Sequence, residues 1–173
     1  NVRDALFLCN MDMGITQSNV LAHAKKTGEL GPNVEARLVY ITKLFNEEVH
    51  LIAGPSVASI QNLAGKVVNF GEAGGGADFT ARAVIDALKI NVTAVNLSHA
   101  DALHKLLSGE IAATFLVTGK PTNAFERLRG AGDFKLLPIP FEEVLEADYL
   151  PSRLTHEDYP DLIPSGSAVD TIA

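Results

Sequence analysis

The stretch from Lys66 to Leu88 constrains this chain more than any other. Val67 to Phe70 read as a buried strand that breaks at Gly71. The chain then passes through Gly74, Gly75 and Gly76 into an amphipathic helix beginning near Asp78. That helix places Phe79, Ala83, Val84, Ala87 and Leu88 on one face, the spacing of a helix laid against a sheet. Strand, glycine turn and helix in this order make an anion cradle. The first helical N–H groups have no partner inside the helix, they point at the turn, and the macrodipole adds partial positive charge there. Glycines let the backbone come close to a ligand.

The residues after the glycines narrow the identity of the anion. A Walker phosphate loop needs Lys and then Ser or Thr after its last glycine, and here Ala77 and Asp78 stand in those places. A dinucleotide fingerprint can be drawn through Gly71, Gly74, Gly75 and Gly76 only with the wrong gaps. What remains is a backbone-amide nest for a small anion such as a carboxylate, with Thr80 as a side-chain donor one turn in. Close packing of a tight strand-to-helix turn is the alternative, since glycine also serves turns through its free φ.

Downstream the pattern is regular. Val92 to Leu97 form a strand, Ser98 caps a helix with Ala102, Leu103, Leu106 and Leu107 on its apolar face, and Gly109 ends it. Ile111 to Val117 read as a strand buried on both faces, Thr118 to Thr122 as a turn, and Asn123 to Arg129 as a helix. Phe134 to Ile139 make a last strand and Phe141 to Glu146 a short helix. Strands alternating with helices predict right-handed crossovers and a parallel sheet, so residues 54–165 are expected to form an α/β lobe.

The first third is less regular. It reads as a helix end from Val2 to Leu8, a strand from Met11 to Thr16, and a helix from Val20 to Lys26 capped by Ser18 or Asn19 and closed by Gly28. Strands come next at Leu38 to Ile41 and Val49 to Ala53. Such elements cannot cover a sheet on both faces. Residues 1–53 are therefore expected to be part of a first lobe with its crossover strand, and residues 166–173 the start of a return crossover. Gln17 and Ser18 fall just after a strand's carboxyl end, where open α/β sheets hold ligands, with a simple N-cap as the other role for Ser18.

Composition removes several classes. A net charge of −7 with no Lys/Arg run argues against a nucleic-acid partner. The single Cys9 rules out an internal disulfide framework and reads as a small core residue. No apolar run approaches the length of a membrane span, so direct membrane insertion is not expected. His99 and His104 are five apart and fall on different helix faces. Glu47 with Glu48, and Glu142 with Glu143, diverge as chain neighbours, and His50 reads as a sheet-face residue. No catalytic residue, metal ligand or cofactor is expected.

Several segments in order carry a family likeness. They are Gly14-Ile-Thr-Gln-Ser-Asn-Val20, Leu44-Phe-Asn-Glu-Glu-Val-His-Leu51 and the run from Leu63 to Arg82. Asp101 to Pro121, with its Thr118-Gly119-Lys120-Pro121 turn, continues the likeness. Ile163-Pro-Ser-Gly166 with Val169-Asp-Thr-Ile-Ala173 completes it. Together they resemble the TAXI-type solute receptors of TRAP transporters. The resemblance implies a type II periplasmic-binding-protein fold, α/β, with one parallel-sheet lobe and an incomplete second lobe. It implies a non-enzymatic, periplasmic or extracytoplasmic receptor that closes on an amino acid or small organic acid and delivers it to TRAP membrane subunits.

Carried over by position, Gln17 and Ser18 would face the ligand from the first lobe. Gly74, Gly75, Gly76, Ala77 and Thr80 would face it from the second, with Thr118 and Gly119 nearby. Where Gly75 and Ala77 stand the family usually has Ser and Thr, so backbone amides must do more here. Lys120, at a position where an aromatic is common, would pair with an acidic ligand or lie in solvent. Glu72 would repel a carboxylate unless it points away. An effector-sensing or enzymatic domain on the same fold is the alternative function.

Overall fold

The computed structural model describes residues 6–7, 12–128 and 130–173, without the side chain of Glu35. It divides into two compact units, residues 1–45 and 46–173. Cys9, Met11, Arg129 and most of the expected Val2–Leu8 helix lie outside the described residues. Leu6 and Phe7 are helical.

The first unit is built on helix α1 (Ser18–Thr27) and the single turn α2 (Val34–Arg37). Gly28 ends α1 in the left-handed region, φ 75°, and its N–H bonds the carbonyl of Lys25, as the sequence predicts. The start differs from expectation. Gln17 is the N-cap and makes no side-chain capping bond, so Ser18 and Asn19 lie inside the helix. Ala24, Leu30 and Val34 are buried and gather Leu6, Leu21 and Leu38 around them. The Arg37 guanidinium donates to the carbonyl of Leu6 at 2.9 Å and lies 5.4 Å from the Phe7 ring centre. The expected strands near Met11–Thr16 and Leu38–Ile41 are not formed; the described residues there have no ladder partner. Val39, Tyr40 and Ile41 are exposed despite their β-rich composition.

The second unit holds a five-stranded sheet of order β3-β2-β4-β1-β5. The strands are β1 (Glu48–Ala53), β2 (Val67–Asn69), β3 (Thr93–Val95), β4 (Ala113–Thr118) and β5 (Lys135–Leu136). The β2, β3 and β4 strands are mutually parallel, joined by helices α3 (Gly76–Ala87) and α4 (His99–Ser108), as the alternation predicts. The sheet is not wholly parallel, however. Strand β1 is antiparallel to both β4 and β5, with Leu51 opposite Phe115 and Ile52 opposite Leu136. Sequence reading counts this strand with the first segment, yet its ladder lies wholly within the second unit.

All six residues of β1 are buried. Val49, Leu51 and Ala53 point to the core shared with Ala81, Val84 and Ile85 of α3. Ile52 points to the core shared with Ala102, Leu103 and Leu106 of α4. This alternation covers both faces of the strand with apolar neighbours, the condition for a central strand. Helix α4 has the caps that the sequence predicts. Ser98 accepts from the Asp101 N–H, and Gly109 closes it at φ 77°. The segments expected as helices at Asn123 to Arg129 and Phe141 to Glu146 are 3-10 turns at Asn123–Leu128 and Glu143–Leu145, and another 3-10 turn spans Ile60–Leu63.

The proline-rich tail folds as a second sheet. Its strands β6 (Pro151–Thr155) and β7 (Ala168–Ile172) pair antiparallel, Pro151 opposite Ile172 and Thr155 opposite Ala168. Proline is tolerated at the first residue of an edge strand. The ribbon is tied to the main sheet. The Thr171 hydroxyl donates to the Val49 carbonyl, and the Ile139 N–H to the Asp170 carbonyl at 2.9 Å.

Candidate functional site: the carboxyl edge of the sheet

The three parallel strands end on one edge, where connections leave a crevice in open α/β sheets. Strand β2 runs into the glycine turn, β3 into Asn96 and Leu97, and β4 into Thr118 and Gly119. Beneath this edge lies a polar pair in the sheet itself. Asn69 is 1% exposed. Its amide donates to the Thr114 hydroxyl at 2.8 Å, and its carbonyl oxygen accepts the Leu97 N–H at 2.9 Å.

The turn is tightly specified. Gly71 has φ 85°, and a Cβ there would meet the Ala77 Cβ at 2.9 Å, so two requirements call for glycine at one place. The Gly75 N–H donates to the Glu72 carbonyl at 3.0 Å, and Glu72 is exposed to solvent. Gly75 then serves as N-cap of α3, and its carbonyl accepts from Phe79. The N–H groups of Gly76, Ala77 and Asp78 have no acceptor among the described residues, as the first turn of a helix requires. Gly75, Gly76 and Ala77 are half-buried and Gly74 is exposed.

Asp78, noticed in the sequence only as a helix start, is the electrostatic centre of the turn. Its Oδ2 accepts the Gly74 N–H at 3.1 Å. Its Oδ1 accepts from Arg82 Nε at 2.9 Å and from the Asn96 amide at 3.0 Å. The same Asn96 amide donates to the Gly71 carbonyl at 2.8 Å, so one side chain binds the turn at both ends. Burial pushes the Asp78 carboxyl up. The hydrogen bonds from Asn96, Gly74 and Arg82, with the Arg82 charge, outweigh it and hold the group below the usual carboxylate range. The four-residue spacing of Asp78 and Arg82 on one helix face is the signal that sequence reading missed.

The expected site residues separate into groups. Gly74, Gly75, Gly76 and Ala77 form one turn, and Thr118 and Gly119 end β4 on the same edge. Gln17, half-buried, and Ser18, exposed, belong to the first unit. Thr80 lies one turn further along α3. It is 1% exposed, and its hydroxyl receives the Tyr149 O–H at 3.5 Å within the second unit. One helical turn carries Thr80 from the cradle to the face of α3 that packs on the sheet.

Lys120 takes neither expected role. Its ammonium donates to the Arg153 carbonyl and lies 3.4 Å from Asp158 Oδ2, fastening the loop after β4 to the β6 strand. The neighbouring Thr122 N–H donates to the Tyr159 hydroxyl at 3.1 Å. A cavity of about 150 Å³ lies beside this loop, lined by Thr122, Phe125, Phe134, Asp158, Tyr159 and Leu162, and none of its walls comes from the glycine turn. Among the described residues no group of three or more His, Cys, Asp or Glu is arranged to hold a metal ion. No described helix is long and apolar enough to cross a membrane.

Compared with known proteins, residues 4–170 match the NMT1-like family. The chain belongs to that family. It also has a structural likeness among solved proteins. The periplasmic aliphatic sulphonate binding protein from Escherichia coli superposes with a TM-score of 0.53 at 21% identity, covering 78% of this chain and 42% of that one. A periplasmic binding protein from Brucella ovis with glutathione bound matches with a TM-score of 0.44 at 17% identity, over 57% of this chain and 32% of that one. This NMT1-like chain thus spans less than half the length of either structure. The likeness bears on the fold, which is of the type II periplasmic-binding-protein kind.

Proposed function

We propose that this chain is the ligand-holding part of an extracytoplasmic solute receptor that captures a small carboxylate-bearing molecule, an amino acid or organic acid, for a membrane transporter. The observation that carries the reading is the glycine turn. Three successive N–H groups, Gly76, Ala77 and Asp78, lie without an acceptor among the described residues, at a helix N-terminus on the carboxyl edge of a parallel sheet. Thr118 and Gly119 on the same edge supply further contacts. Thr80 acts from beneath, by packing.

Supporting the receptor class are membership of the NMT1-like family and a fold shared with periplasmic binding proteins. The resemblance of the Leu63–Arg82 and Asp101–Pro121 segments to TAXI receptors makes the TRAP-type permease the partner in this reading. The protein is then a binder and not an enzyme, working outside the cytoplasmic membrane. Differential scanning fluorimetry of the full chain against a panel of amino acids and carboxylic acids, followed by calorimetry on each hit, tests it. A saturable rise in melting temperature with one acid is expected. Turnover of a substrate with no stabilisation by any acid would sink the reading.

A further inference from the structure

The cavity beside the loop after β4 is walled by two kinds of group. Phe125, Phe134 and Tyr159 bring three aromatic rings, and Glu126, Asp158 and Asp161 bring carboxylates. Among the described residues no lysine, arginine or histidine lines it. Its volume, about 150 Å³, is that of a cavity able to take a benzene-sized guest. The walls are set before any guest arrives. Phe125 and Tyr159 are 4% and 6% exposed, with ring centres 5.9 Å apart at 64° to each other. The Tyr159 oxygen lies 2.6 Å from His50 Nε2 and accepts the Thr122 N–H at 3.1 Å, which holds the ring in place.

The carboxylates differ in their ties. Asp158 Oδ2 accepts the Thr155 N–H at 2.9 Å and the Thr155 hydroxyl at 3.1 Å, and Lys120 Nζ is 3.4 Å away. Burial raises the Asp158 pKa, but those bonds and the Lys120 charge outweigh it and keep the group ionised. Lys120 offsets the charge of Asp158. Glu126 has no such offset: it is exposed, and its carboxylate takes no hydrogen bond or ion pair from the described residues. A neutral guest would cover the rings and leave Glu126 unanswered, and an anion would meet repulsion from carboxylates and ring faces alike. A small organic cation answers both. We propose that this cavity binds a small organic ammonium ion, its apolar part against Phe125, Phe134 and Tyr159 and its charge toward Glu126. The site is separate from the glycine turn and independent of the receptor reading.

The test is a heteronuclear NMR titration of the full chain at neutral pH and low salt with tetramethylammonium, benzylamine, benzyl alcohol and benzoate. The two cations should bind saturably and shift the amides of Phe125, Gly132 and Phe134. Benzyl alcohol, the same size without the charge, should bind about fivefold more weakly. Benzoate should leave these amides unmoved, whatever it does at Gly74–Ala77. Glu126→Gln, at an exposed position, should weaken benzylamine about threefold, bring it close to benzyl alcohol, and lose its effect at high salt. Phe134→Leu keeps an apolar wall but removes a ring, and should weaken tetramethylammonium about threefold or more.

Should Phe134→Leu fail to fold, Glu126→Gln decides by itself. Equal affinities for benzylamine and benzyl alcohol, or a benzylamine affinity unchanged in Glu126→Gln, would overturn the assignment to a cation. No saturable shift at Phe125, Gly132 and Phe134 with either cation, or shifts confined to Gly74–Ala77, would overturn the site itself.

Discussion

His50 and Tyr159, 109 positions apart in sequence, meet in the interior of the second unit with 2.6 Å between Nε2 and the hydroxyl oxygen. The tautomer is set by the neighbours. The His50 Nδ1 lies 2.9 Å from the Glu48 carbonyl, an acceptor only, so Nδ1 carries the proton and Nε2 accepts from the tyrosine O–H. The tyrosine oxygen in turn accepts the Thr122 N–H. Strand β1, the loop after β4 and the tail are therefore joined through one phenol.

Stability should depend on pH through this pair. Burial is the main cause that lowers the His50 pKa from 6.5 to about 4, against the raising effects of the Glu48 and Leu116 carbonyls. The unfolded chain therefore binds more protons between those two values. The contribution is fully present above pH 6.5 and is lost as pH falls toward 4. It amounts to roughly 3 kcal/mol at most. Urea midpoints of the wild type should fall between pH 7 and pH 4.5 more steeply than those of His50→Gln. Equal slopes would show that another group controls the acid limb.

Tyr159→Phe removes the hydroxyl but keeps the ring contacts with His50 and Phe125. It strands the buried Nε2 and the Thr122 N–H, and should cost about 2 kcal/mol in chemical denaturation at pH 7. A loss well under 1 kcal/mol would mean that water replaces the phenol at little cost.

Gly71 and Gly74 both have positive φ, 85° and 72°, but only Gly71 would crowd a side chain; a Cβ at Gly74 meets open space. Gly74→Ala should cost about 1 kcal/mol of backbone strain, and Gly71→Ala clearly more. Ala77→Gly in the Gly71→Ala background should recover part of the excess, since it removes the atom met at 2.9 Å. Denaturation of the four proteins gives the comparison, and equal costs at the two glycines would refute the close contact.

Thr80→Val should leave ligand affinity within about twofold and change stability by about 1 kcal/mol or less, because the side chain is buried beside Tyr149. A large loss of affinity with unchanged stability would restore Thr80 to the role that the sequence reading assigns it.

Asn69→Ala deprives the Leu97 N–H and the Thr114 hydroxyl of their partner inside the sheet. A loss of about 2–3 kcal/mol is expected, measured by urea denaturation. Asn96→Ala, at a more exposed position, should cost less and act mainly on the turn.

The part of the fold legible in the sequence is the part governed by local chemistry. Gly28 and Gly109 close helices, Ser98 caps one, and the glycine turn joins β2 to α3, each because neighbouring residues decide the outcome. Strands are decided by partners, which periodicity cannot supply. Leu38–Ile41 has the composition of a strand and no ladder, whereas Pro151–Thr155, which begins with proline, has one through Ala168–Ile172. The same distinction applies at the site. The backbone nest is readable from its glycines and the Asp78–Arg82 pair from its four-residue spacing, but the claim of Asn96 on Asp78 depends on a strand end 18 positions away. Lys120 likewise finds its partners, Arg153 and Asp158, only after the tail has folded back.

The position of β1 also bears on how the chain is made. During synthesis Glu48–Ala53 leaves the ribosome long before Ala113–Thr118 and Lys135–Leu136, the two strands that flank it in the finished sheet. For that interval a strand with Val49, Leu51 and Ala53 on one face and Ile52 on the other has neither edge satisfied, the state in which nascent chains associate with one another.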